Sequence, residues 1–440
     1  MNDKGPRVES QGSRRHFLKE SAAVTVGASL SLAARAAGPV HVAGDERLRI
    51  GLVGCGGRGA GAAANAMQAD KNTRLVAMGD AFPEPVERSV KVLKKKFPDR
   101  VAVDPERRFS GFVAYRQVVS ADVDVVILAT PPHFRPVHLG ACVKAGKHVF
   151  VEKPVAVDAP GVRSVLAACQ EAQQKGLSIV SGLCYRFNPG VRETMRRVHD
   201  GAIGEIVAVQ ETYNCGPPWF RNKDRQAEWT EMEYQMRNWY PFTWLSGDHI
   251  VEQHVHSLDK GAWAIGQIPH RAWGSGGRQV SSGNVIGQIF DHHAVVFEYA
   301  SGVRMNSHCR RLAGCANDVS DIFMGTKGIC NLMKGRIEGE NPWRYRGPKG
   351  NMYVSEHEAL FRSIRDGSPL NHGEYMAHST MLGVMGRMVT YTGRALSWEE
   401  ALNSKETLAP AHYAWETDPP VLPDADGRYP VAIPGLTKFV

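Results

Sequence analysis

Long apolar runs, internal repeats and low-complexity segments are all missing from this sequence of 440 residues. No apolar stretch reaches the roughly 18 residues that a membrane-spanning helix requires. The formal net charge of +8 is dispersed, and basic residues do not alternate with aromatic ones along any segment. We therefore expect no membrane span and no nucleic-acid partner, because nucleic-acid binding requires a concentrated basic surface.

The overall composition is that of a soluble globular protein, with 43% hydrophobic and 22% charged residues. A chain of this length is long enough to build two hydrophobic cores. The 45 glycines exceed the average share of roughly 7% and indicate many loops and close backbone approaches.

The first 36 residues resemble a twin-arginine export signal. The segment S-R-R-H-F-L-K at 13–19 precedes an apolar stretch at 22–34, and A-R-A at 34–36 offers a small-x-small cleavage site. The alternative is a disordered basic tail. Because the three parts occur in the expected order, we predict a signal peptide at residues 1–36 and a periplasmic mature protein. Proteins exported by this route cross the membrane folded, often with a cofactor already bound.

Eight cysteines in an exported protein raise the question of disulfide bonds. Four of them lie in a glycine-rich loop or in segments with the pattern of core helices and strands: Cys55, Cys142, Cys169 and Cys184. Folding before export also removes the oxidising step. We expect mostly free thiols, and a bridge stays open among three later cysteines: Cys309, Cys315 and Cys330.

Strands and helices alternate between residues 46 and 155. Helical stretches of 10–15 residues separate apolar runs that predict strands at 48–53, 73–79, 123–129 and 148–151. This order is typical of βαβ units and indicates a parallel sheet covered by helices. We therefore predict an α/β Rossmann domain over residues 46–155.

The pattern changes after residue 156. Helices are expected at 159–175 and 190–200, and longer strands at 177–183, 206–213, 294–299 and 303–309. These elements predict an α+β domain over 156–401 with an open, mainly antiparallel sheet and a late helix at 374–393. The aromatic segment from 215 to 245 has no clear period, and a loop of this length is usually functional. Residues 402–440 form a C-terminal tail.

A glycine-rich loop follows the first strand directly and opens the first helix. Gly54 permits a tight turn, Gly56 lets the backbone approach a pyrophosphate, and Gly59 allows close packing of helix and strand. All six residues of the loop are predicted to contact a dinucleotide: Gly54, Cys55, Gly56, Gly57, Arg58 and Gly59. Asp80 ends the next strand, where a carboxylate accepts hydrogen bonds from the adenosine ribose and repels a 2′-phosphate. We therefore predict NAD as the cofactor, with NADP as the alternative.

Two further strands end in polar motifs. T-P-P-H follows the strand at 123–129, and E-K-P follows the strand at 148–151. Ligands of parallel sheets bind outside the carboxyl ends of the strands. Five residues are therefore expected to face the cofactor: Thr130, Pro131, His133, Glu152 and Lys153. A lysine beside a nicotinamide can exchange protons with a substrate hydroxyl, although E-K-P also suits a surface salt bridge before a turn.

The segment E-Q-H-V-H-S-L-D at 252–259 is a third cluster of reactive side chains. On a helix, Glu252, His256 and Asp259 share one face. On a strand, Glu252, His254 and His256 would share a face and form a metal site. Apolar residues at helical spacing up to residue 265 favour the helix, so we predict acid/base chemistry and no metal site. Histidines that only cap and pack remain an open alternative.

Together these motifs resemble the glucose–fructose oxidoreductase/inositol dehydrogenase (Gfo/Idh/MocA) family over about residues 48–401. The resemblance rests on the glycine loop, A-T-P-x-H, E-K-P, the block Y-R-F at 185–187 and the helix with Glu-x-x-x-His-x-x-Asp. It implies a nicotinamide at the junction of two domains. His256 would accept the hydroxyl proton, Lys153 would polarise the same oxygen, and Glu252 stands where many members have aspartate.

The resemblance also implies contacts beyond these three groups. Arg186 is expected at the cofactor, and Tyr185, Tyr213 and Asp259 at the substrate, which would be a sugar, polyol or glycoside. Arg135 stands where related sequences often have a second histidine, and it would admit an acidic sugar. An exposed sheet points to a homo-dimer or homo-tetramer.

Export narrows the expected mechanism, because no supply of free NAD(H) is known outside the inner membrane. We expect a tightly held cofactor, loaded before export and regenerated in each cycle. Paired oxidation and reduction of two sugars satisfies this condition. Transient oxidation of a glycoside at C3, followed by elimination, hydration and re-reduction, satisfies it as well. A non-catalytic nucleotide- or sugar-binding protein is the remaining alternative.

Overall fold

The computed structural model describes residues 46–217, 223–280 and 287–440. The predicted signal peptide at 1–36 lies outside the described residues, as do residues 218–222 of the aromatic segment. Within the described part of the chain, no helix combines the length and the apolar character that crossing a membrane requires.

A parallel sheet of six strands forms in the first part of the described chain, in the order β3-β2-β1-β4-β5-β6. Its strands are β1 (Leu48–Val53), β2 (Thr73–Asp80), β3 (Arg108–Ser110), β4 (Val125–Leu128), β5 (His148–Val151) and β6 (Ile179–Ser181). All four residues of β4 are buried, since helices cover both faces of such a sheet. The strand order reverses between β1 and β4, which opens a crevice at their carboxyl ends.

The helices that connect these strands follow the predicted alternation. They are α1 (Gly57–Ala69), α2 (Pro83–Lys96), α3 (Ala114–Ser120), α4 (Arg135–Lys144) and α5 (Ala159–Gln174). Local sequence signals fix several of their starts. Asp158 caps α5 by accepting the Gly161 N–H at 2.8 Å, and proline occupies the first turn of α2.

A second sheet of nine strands forms among the later described residues, in the order β14-β13-β12-β11-β7-β10-β9-β8-β15. Its strands are β7 (Ile206–Cys215), β8 (Arg271–Gly277), β9 (His292–Glu298), β10 (Arg304–Arg311), β11 (Asp318–Gly325), β12 (Gly328–Asn331), β13 (Arg336–Gly339), β14 (Trp343–Arg344) and β15 (Leu396–Ser397). The predicted fold class is confirmed: a Rossmann sheet accompanies an open, mainly antiparallel sheet. Only the pair β7–β10 is parallel among the described strands of this sheet.

Eight further α-helices lie among the later described residues. They are α6 (Pro189–His199), α7 (Glu231–Arg237), α8 (Thr243–Ser246), α9 (His249–Glu252), α10 (Val255–Ile265), α11 (Met352–Arg365), α12 (Gly373–Thr392) and α13 (Trp398–Leu402). Of these, α10 and α12 make the main contacts with the second sheet. The predicted late helix corresponds to α12, which is buried along most of its length and packs on α5, α10 and β8. Strand β9 alternates buried and half-buried residues beneath it, as expected for a sheet with one covered face.

The parallel sheet continues past residue 155, where we expected the second domain to begin. β6 pairs with β5 and therefore belongs to the first sheet. The late helix α11 packs against α1 and β6 and inserts Leu360, Phe361 and Ile364 into the core of the first sheet. The core of the first sheet is thus completed by a helix that begins about 200 residues after β5. Local periodicity does not reveal such a pairing.

Residues 249–265 form two helices instead of the single helix that the spacing predicts. The chain turns at Gln253 and His254, where the His254 N–H donates to the His249 carbonyl at 3.1 Å. Glu252 therefore ends α9 and His256 lies in the first turn of α10. The strand arrangement that would have made a metal site from Glu252, His254 and His256 does not occur among the described residues.

All eight cysteines lie among the described residues, and each is a free thiol. Burial raises the pKa of Cys142, Cys169 and Cys330 to about 12, so these thiols stay protonated at physiological pH.

Candidate active site

The glycine loop joins β1 to α1 at the switch point of the parallel sheet. Gly54 has a φ of +93°, and a Cβ there would lie 2.5 Å from the backbone of Ala129. A Cβ on Gly59 would lie 1.8 Å from the Gly54 carbonyl oxygen, so both positions require glycine. A Cβ on Gly56 or Gly57 would meet nothing within 4 Å among the described residues. These two glycines therefore border open space at the start of α1.

Asp80 lies beside the loop at the end of β2. Its carboxylate accepts the N–H of Cys55 at 2.6 Å and the N–H of Phe82 at 3.1 Å. Burial raises the pKa of Asp80, and these N–H donors partly offset the shift. A carboxylate offers about four acceptor positions, so these two hydrogen bonds leave capacity for ribose hydroxyls.

A cavity of about 380 Å³ extends along the carboxyl ends of β1, β2 and β4. Its wall includes these predicted residues: Gly54, Gly56, Gly57, Arg58, Gly59, Asp80, Thr130, Pro131 and Glu252. Other wall residues belong to no predicted motif: Phe82, Arg88, Phe112, Tyr115, Phe134 and His138. The aromatic segment supplies Lys223, Met236, Arg237 and Trp239. One cavity thus reaches from the dinucleotide loop to Glu252.

Lys153 and Glu252 meet at the inner part of this site. Lys153 Nζ donates to Glu252 Oε1 at 3.0 Å and also to the Glu252 backbone carbonyl. The two side chains are 14% and 11% exposed, so water screens their attraction only weakly. An ammonium has three N–H donors, and these contacts use two of them. The third is left to donate to a substrate oxygen.

His256 is the second predicted catalytic group, and its ring meets the ring of Tyr185 edge to face with centroids 5.3 Å apart. Burial, followed by the nearby positive charge of Lys153, holds the pKa of His256 well below its usual range. Neither His256 nor Lys153 is among the residues that line the cavity of about 380 Å³. A neutral imidazole can accept a proton from a substrate hydroxyl.

Comparison with known proteins agrees with this geometry. Residues 48–180 match the family model described as an oxidoreductase family with an NAD-binding Rossmann fold, Gfo/Idh/MocA. The match covers the described parallel sheet and the helices that connect its strands.

Two relatives of the chain carry names of different reactions. The chain is 31% identical over 185 residues to 2,7-anhydro-N-acetylneuraminate hydratase from Escherichia coli, covering 42% of this chain and 45% of that protein. It is 25% identical over 281 residues to inositol 2-dehydrogenase from Rhizobium meliloti, covering 64% of this chain and 74% of that protein. The match thus spans less than half of the hydratase and about three quarters of the dehydrogenase.

Solved structures share the whole two-sheet architecture. Scyllo-inositol dehydrogenase from Lactobacillus casei, with bound NAD(H) and scyllo-inositol, superposes with a TM-score of 0.60 and 19% identity, covering 80% of this chain and 100% of that chain. Aldose-aldose oxidoreductase from Caulobacter crescentus gives a TM-score of 0.61 and 18% identity, with the same coverage. At these identities the likeness establishes the fold.

Arg58 of the glycine loop contacts several charged and aromatic side chains. Its guanidinium donates to Glu152, lies 3.7 Å from Glu356 and packs over the ring of Tyr353 at 5.0 Å. Burial raises the pKa of Glu356 well above its usual range. The predicted cofactor residue Glu152 therefore contacts the loop through Arg58, beside a second carboxyl from α11.

Arg186 and Asp259 pair with each other. Arg186 donates to both carboxylate oxygens of Asp259 at 2.9–3.0 Å, and Ser379 donates to the same carboxylate at 2.7 Å. Arg186 also packs over Tyr375 at 3.9 Å on the wall of a second cavity of about 510 Å³. This bidentate pair joins the block at 185–187 to α10. The predicted cofactor contact of Arg186 and the predicted substrate contact of Asp259 stay predictions.

Three further polar residues serve the packing around the site. His133 Nε2 lies 2.8 Å from the Tyr413 hydroxyl of the C-terminal tail, and burial lowers the pKa of His133 to about 4. Arg135 donates to the Thr130 carbonyl at 2.7 Å and to the Pro154 carbonyl, and it also lines the cavity of the candidate active site. Tyr213 packs against the ring of His254 at 6.3 Å.

The C-terminal tail covers the outer side of the cavity wall. The ring of Trp415 stacks on Phe82 at 5.1 Å and lies 4.5 Å from Phe112. Both phenylalanines line the cavity on their other side. The sequence offered one signal for Phe82 and Phe112, because each follows the end of a parallel strand, where ligands of such sheets bind.

Proposed function

We propose that the protein is an NAD(H)-dependent oxidoreductase that transfers a hydride to and from a hydroxyl-bearing carbon of a sugar, polyol or glycoside. The observation that carries this proposal is the cavity that joins the glycine loop and Asp80 to Glu252, the residue that holds Lys153. A relative and a structural neighbour named as inositol dehydrogenases support a polyhydroxylated substrate.

The residues around the cavity fit a dinucleotide. No side chain of the described residues caps the start of α1, so its N–H groups are available to a pyrophosphate beside Gly56 and Gly57. The acceptor capacity of Asp80 suits ribose hydroxyls and opposes a 2′-phosphate, which supports NAD over NADP. The bound cofactor supplies the hydride acceptor or donor at its nicotinamide ring.

The chain's own residues handle the proton. Lys153 donates its third N–H to the substrate oxygen and stabilises negative charge that develops there. His256, neutral because of its lowered pKa, accepts the hydroxyl proton as the hydride leaves the same carbon. Glu252 positions Lys153 through two hydrogen bonds. In the reverse direction the imidazolium returns the proton to the oxygen.

We further propose that the mature protein works in the periplasm and keeps its cofactor bound through each cycle. The export motif at 13–19 supports this location. Enclosure of the cavity by Met236 and Trp239 of the aromatic segment supports slow exchange of the cofactor. Under these conditions oxidation of one substrate must be followed by reduction of another group before the next turnover.

Water-dependent cleavage or hydration of a glycoside is the second candidate. The Escherichia coli relative is named as a hydratase, and addition of water changes no net oxidation state. Oxidation at C3 would acidify the adjacent C2–H. A base would take this proton, the C–H electrons would form the C1–C2 double bond, and the leaving group would depart with the electrons of its C–O bond. Water would then add across the double bond, and the ketone would regain the hydride. Lys153 and His256 would serve both redox steps.

The exposed side of the second sheet supports a homo-dimer or homo-tetramer. Ile329 on β12 is 48% exposed and pairs with Met324 on β11, on the face opposite to buried Phe323. A sheet with one face free of helices favours association between copies of the chain.

The test begins with the mature protein purified without added cofactor. Denaturation should release nicotinamide dinucleotide in stoichiometric amount, identified by mass as NAD or NADP. The native protein is then incubated with aldose/ketose pairs and with aryl glycosides. Paired sugar products support the first candidate, and cleavage without added NAD supports the second.

Lys153→Ala is the matched variant for this test, because it should release the same amount of cofactor and yet turn over neither substrate class. Sustained reduction of added free NAD would contradict the retained cofactor. Failure of the wild-type protein to bind any nicotinamide dinucleotide would overturn the whole proposal and leave a non-catalytic protein.

A further inference from the structure

A second group of polar side chains is sealed inside the protein at the start of α9. Asp248 is 0% exposed, and His249 and His293 are each 2% exposed. One possible ligand atom from each residue lies within 4.8 Å of the others. Asp248 and His249 are adjacent in sequence, whereas His293 comes from β9. None of the three lines the cavity of the candidate active site.

The two carboxylate oxygens of Asp248 have different surroundings. Oδ2 accepts the hydroxyl of Tyr391 at 2.5 Å and the N–H of Phe290 at 2.9 Å. Oδ1 faces two imidazoles, with His249 Nδ1 at 2.9 Å and His293 Nε2 at 3.2 Å. The hydrogen bonds at Oδ2 therefore fix the carboxylate so that Oδ1 points between the rings.

The tautomer of His293 follows from its other nitrogen. His293 Nδ1 lies 2.9 Å from the Thr390 hydroxyl, which itself lies 2.8 Å from the Gly386 carbonyl. The hydroxyl also lies 3.0 Å from the Arg387 carbonyl, so its proton has two carbonyl acceptors. In the tautomer with its proton on Nδ1, His293 donates to the hydroxyl oxygen, and Nε2 presents a lone pair 3.2 Å from Asp248 Oδ1. A metal ion between these two atoms would be bound by both.

His249 brings a second imidazole to the same oxygen. Its Nδ1 lies 2.9 Å from Asp248 Oδ1, which also accepts the His249 backbone N–H, and its Nε2 has no hydrogen-bond partner among the described residues. A metal ion beside Oδ1 would take a lone pair from both rings at once.

The backbone at Asp248 is also unusual. Asp248 has a φ of 84°, and it is the one residue other than glycine with a positive φ among the described ranges. Such a conformation persists where the surroundings impose it and marks special sites. Here the carboxylate accepts the backbone N–H of His249 at the start of α9 and also faces His293 on β9.

We propose that Asp248, His249 and His293 bind one divalent transition-metal ion of the zinc type, as a structural site. Two imidazoles and one carboxylate suit zinc better than magnesium or calcium, which prefer all-oxygen ligands. The closed surroundings and the distance in sequence between the ligands favour a structural role. The ion would join β9 to the start of α9 and, through Tyr391 and Thr390, to α12.

The experiment uses untagged full-length protein and Zn²⁺ alone as the probe. After treatment with chelator, the protein is dialysed against Zn²⁺ and then metal-free buffer, and its metal content is measured by mass spectrometry. About one ion per chain is expected for the wild type. Replacement by Co²⁺ should give the visible absorption bands of a low-coordinate site with nitrogen ligands, which distinguishes these ligands from surface carboxylates.

His293→Gln and Asp248→Asn should each reduce the metal content at least about tenfold, because each removes one ligand of a three-ligand site. His292→Gln is the matched control, since His292 is the neighbouring histidine on β9 and its side chain is 42% exposed. It should keep the wild-type content. If a ligand variant does not fold, the wild type itself decides, because chelator should lower its thermal unfolding midpoint and Zn²⁺ should restore it.

Three results would overturn the proposal. The first is wild-type protein that takes up no ion from excess Zn²⁺ and unfolds at the same temperature with chelator. The second is a His293→Gln variant that retains the ion. The third is loss of the ion from the His292→Gln control. The first result would mean that the group binds no metal ion and is an aspartate paired with a protonated histidine.

Discussion

The two ends of α9 carry similar side chains in opposite surroundings. At the carboxyl end, Glu252 lines a cavity and holds Lys153. At the amino end, Asp248 is fully buried between His249 and His293 and lines no part of that cavity. A carboxylate beside a cation can take part in chemistry where a substrate reaches it. The same arrangement sealed in the core can only hold secondary-structure elements together. The Glu252 group and the Asp248 group therefore differ more in whether a substrate can reach them than in residue type.

Lys153→Ala should produce the largest effect at the cavity end. We expect kcat/KM to fall by about 10²–10⁴-fold, because the variant loses the donor to the substrate oxygen. Steady-state kinetics with the substrate identified above provide the measurement. The thermal unfolding midpoint should stay near the wild-type value, since Glu252 can be hydrated from the cavity. Lys144→Ala, which changes an exposed lysine on α4, is the control and should change neither quantity. Activity within twofold of wild type would remove Lys153 from the mechanism.

Asp248→Asn should reverse this pattern at the sealed end. We expect the free energy of unfolding to fall by about 3–5 kcal/mol, because the variant removes one partner of a buried charged group. Chemical denaturation measures this loss, and kcat per folded molecule should change far less than in Lys153→Ala. The exposed Asp318 on β11 gives the matched control, Asp318→Asn, with an expected change below about 0.5 kcal/mol. If Asp248→Asn and Asp318→Asn have equal free energies of unfolding, the proposed difference between the two ends of α9 is wrong.

Gly59→Ala should have an intermediate effect and test the dinucleotide end of the cavity. The added Cβ would meet the Gly54 carbonyl, so we expect a loss of about 1–3 kcal/mol in stability and weaker binding of NAD. Gly61→Ala, two residues later in α1, is the control, because its Cβ would lie 3.9 Å from Arg58 Nη1, an ordinary van der Waals distance. It should stabilise α1 by about 0.5–1 kcal/mol. Titration calorimetry with NAD and denaturant unfolding separate the two quantities.

The acidic limb of the pH profile should show the smallest effect. The pKa of His256 lies below the usual 6.5, and only the neutral imidazole accepts the substrate proton. As the pH falls, kcat/KM should therefore persist past pH 6.5 and decline only through the lower pKa of His256. With a histidine of ordinary pKa, kcat/KM would already have fallen about tenfold at one pH unit below 6.5. A midpoint at or above 6.5 would contradict a neutral His256 in the free enzyme.

Local signals in the sequence were sufficient for the cofactor end of the site. The strand that runs into Gly54, the spacing to Gly59 and the position of Asp80 all depend on residues that are near neighbours in the chain. The structure shows the expected loop geometry at Gly54 and Gly59. Lys153 was also placed from sequence, because its strand must end at the same edge of the sheet as β1.

Other parts of the site depend on contacts between distant residues. The pairing of Arg186 with Asp259 spans 73 positions, and the family motif alone placed these residues against different ligands. The turn that separates α9 from α10 was hidden because the apolar spacing of 252–265 suits one helix. The approach of His293 to Asp248 was equally hidden, since β9 and α9 carry no shared pattern.

The sequence by itself determined the Rossmann domain, its glycine loop and the residue types at the strand ends, because periodicity, turn chemistry and spacing act over a few residues. Tertiary structure alone decided that Lys153 meets Glu252, that α11 completes the first core and that Asp248 is sealed with two histidines. The physical reason is that packing of whole sheets and helices fixes which distant side chains become neighbours, and which of them keep access to a cavity.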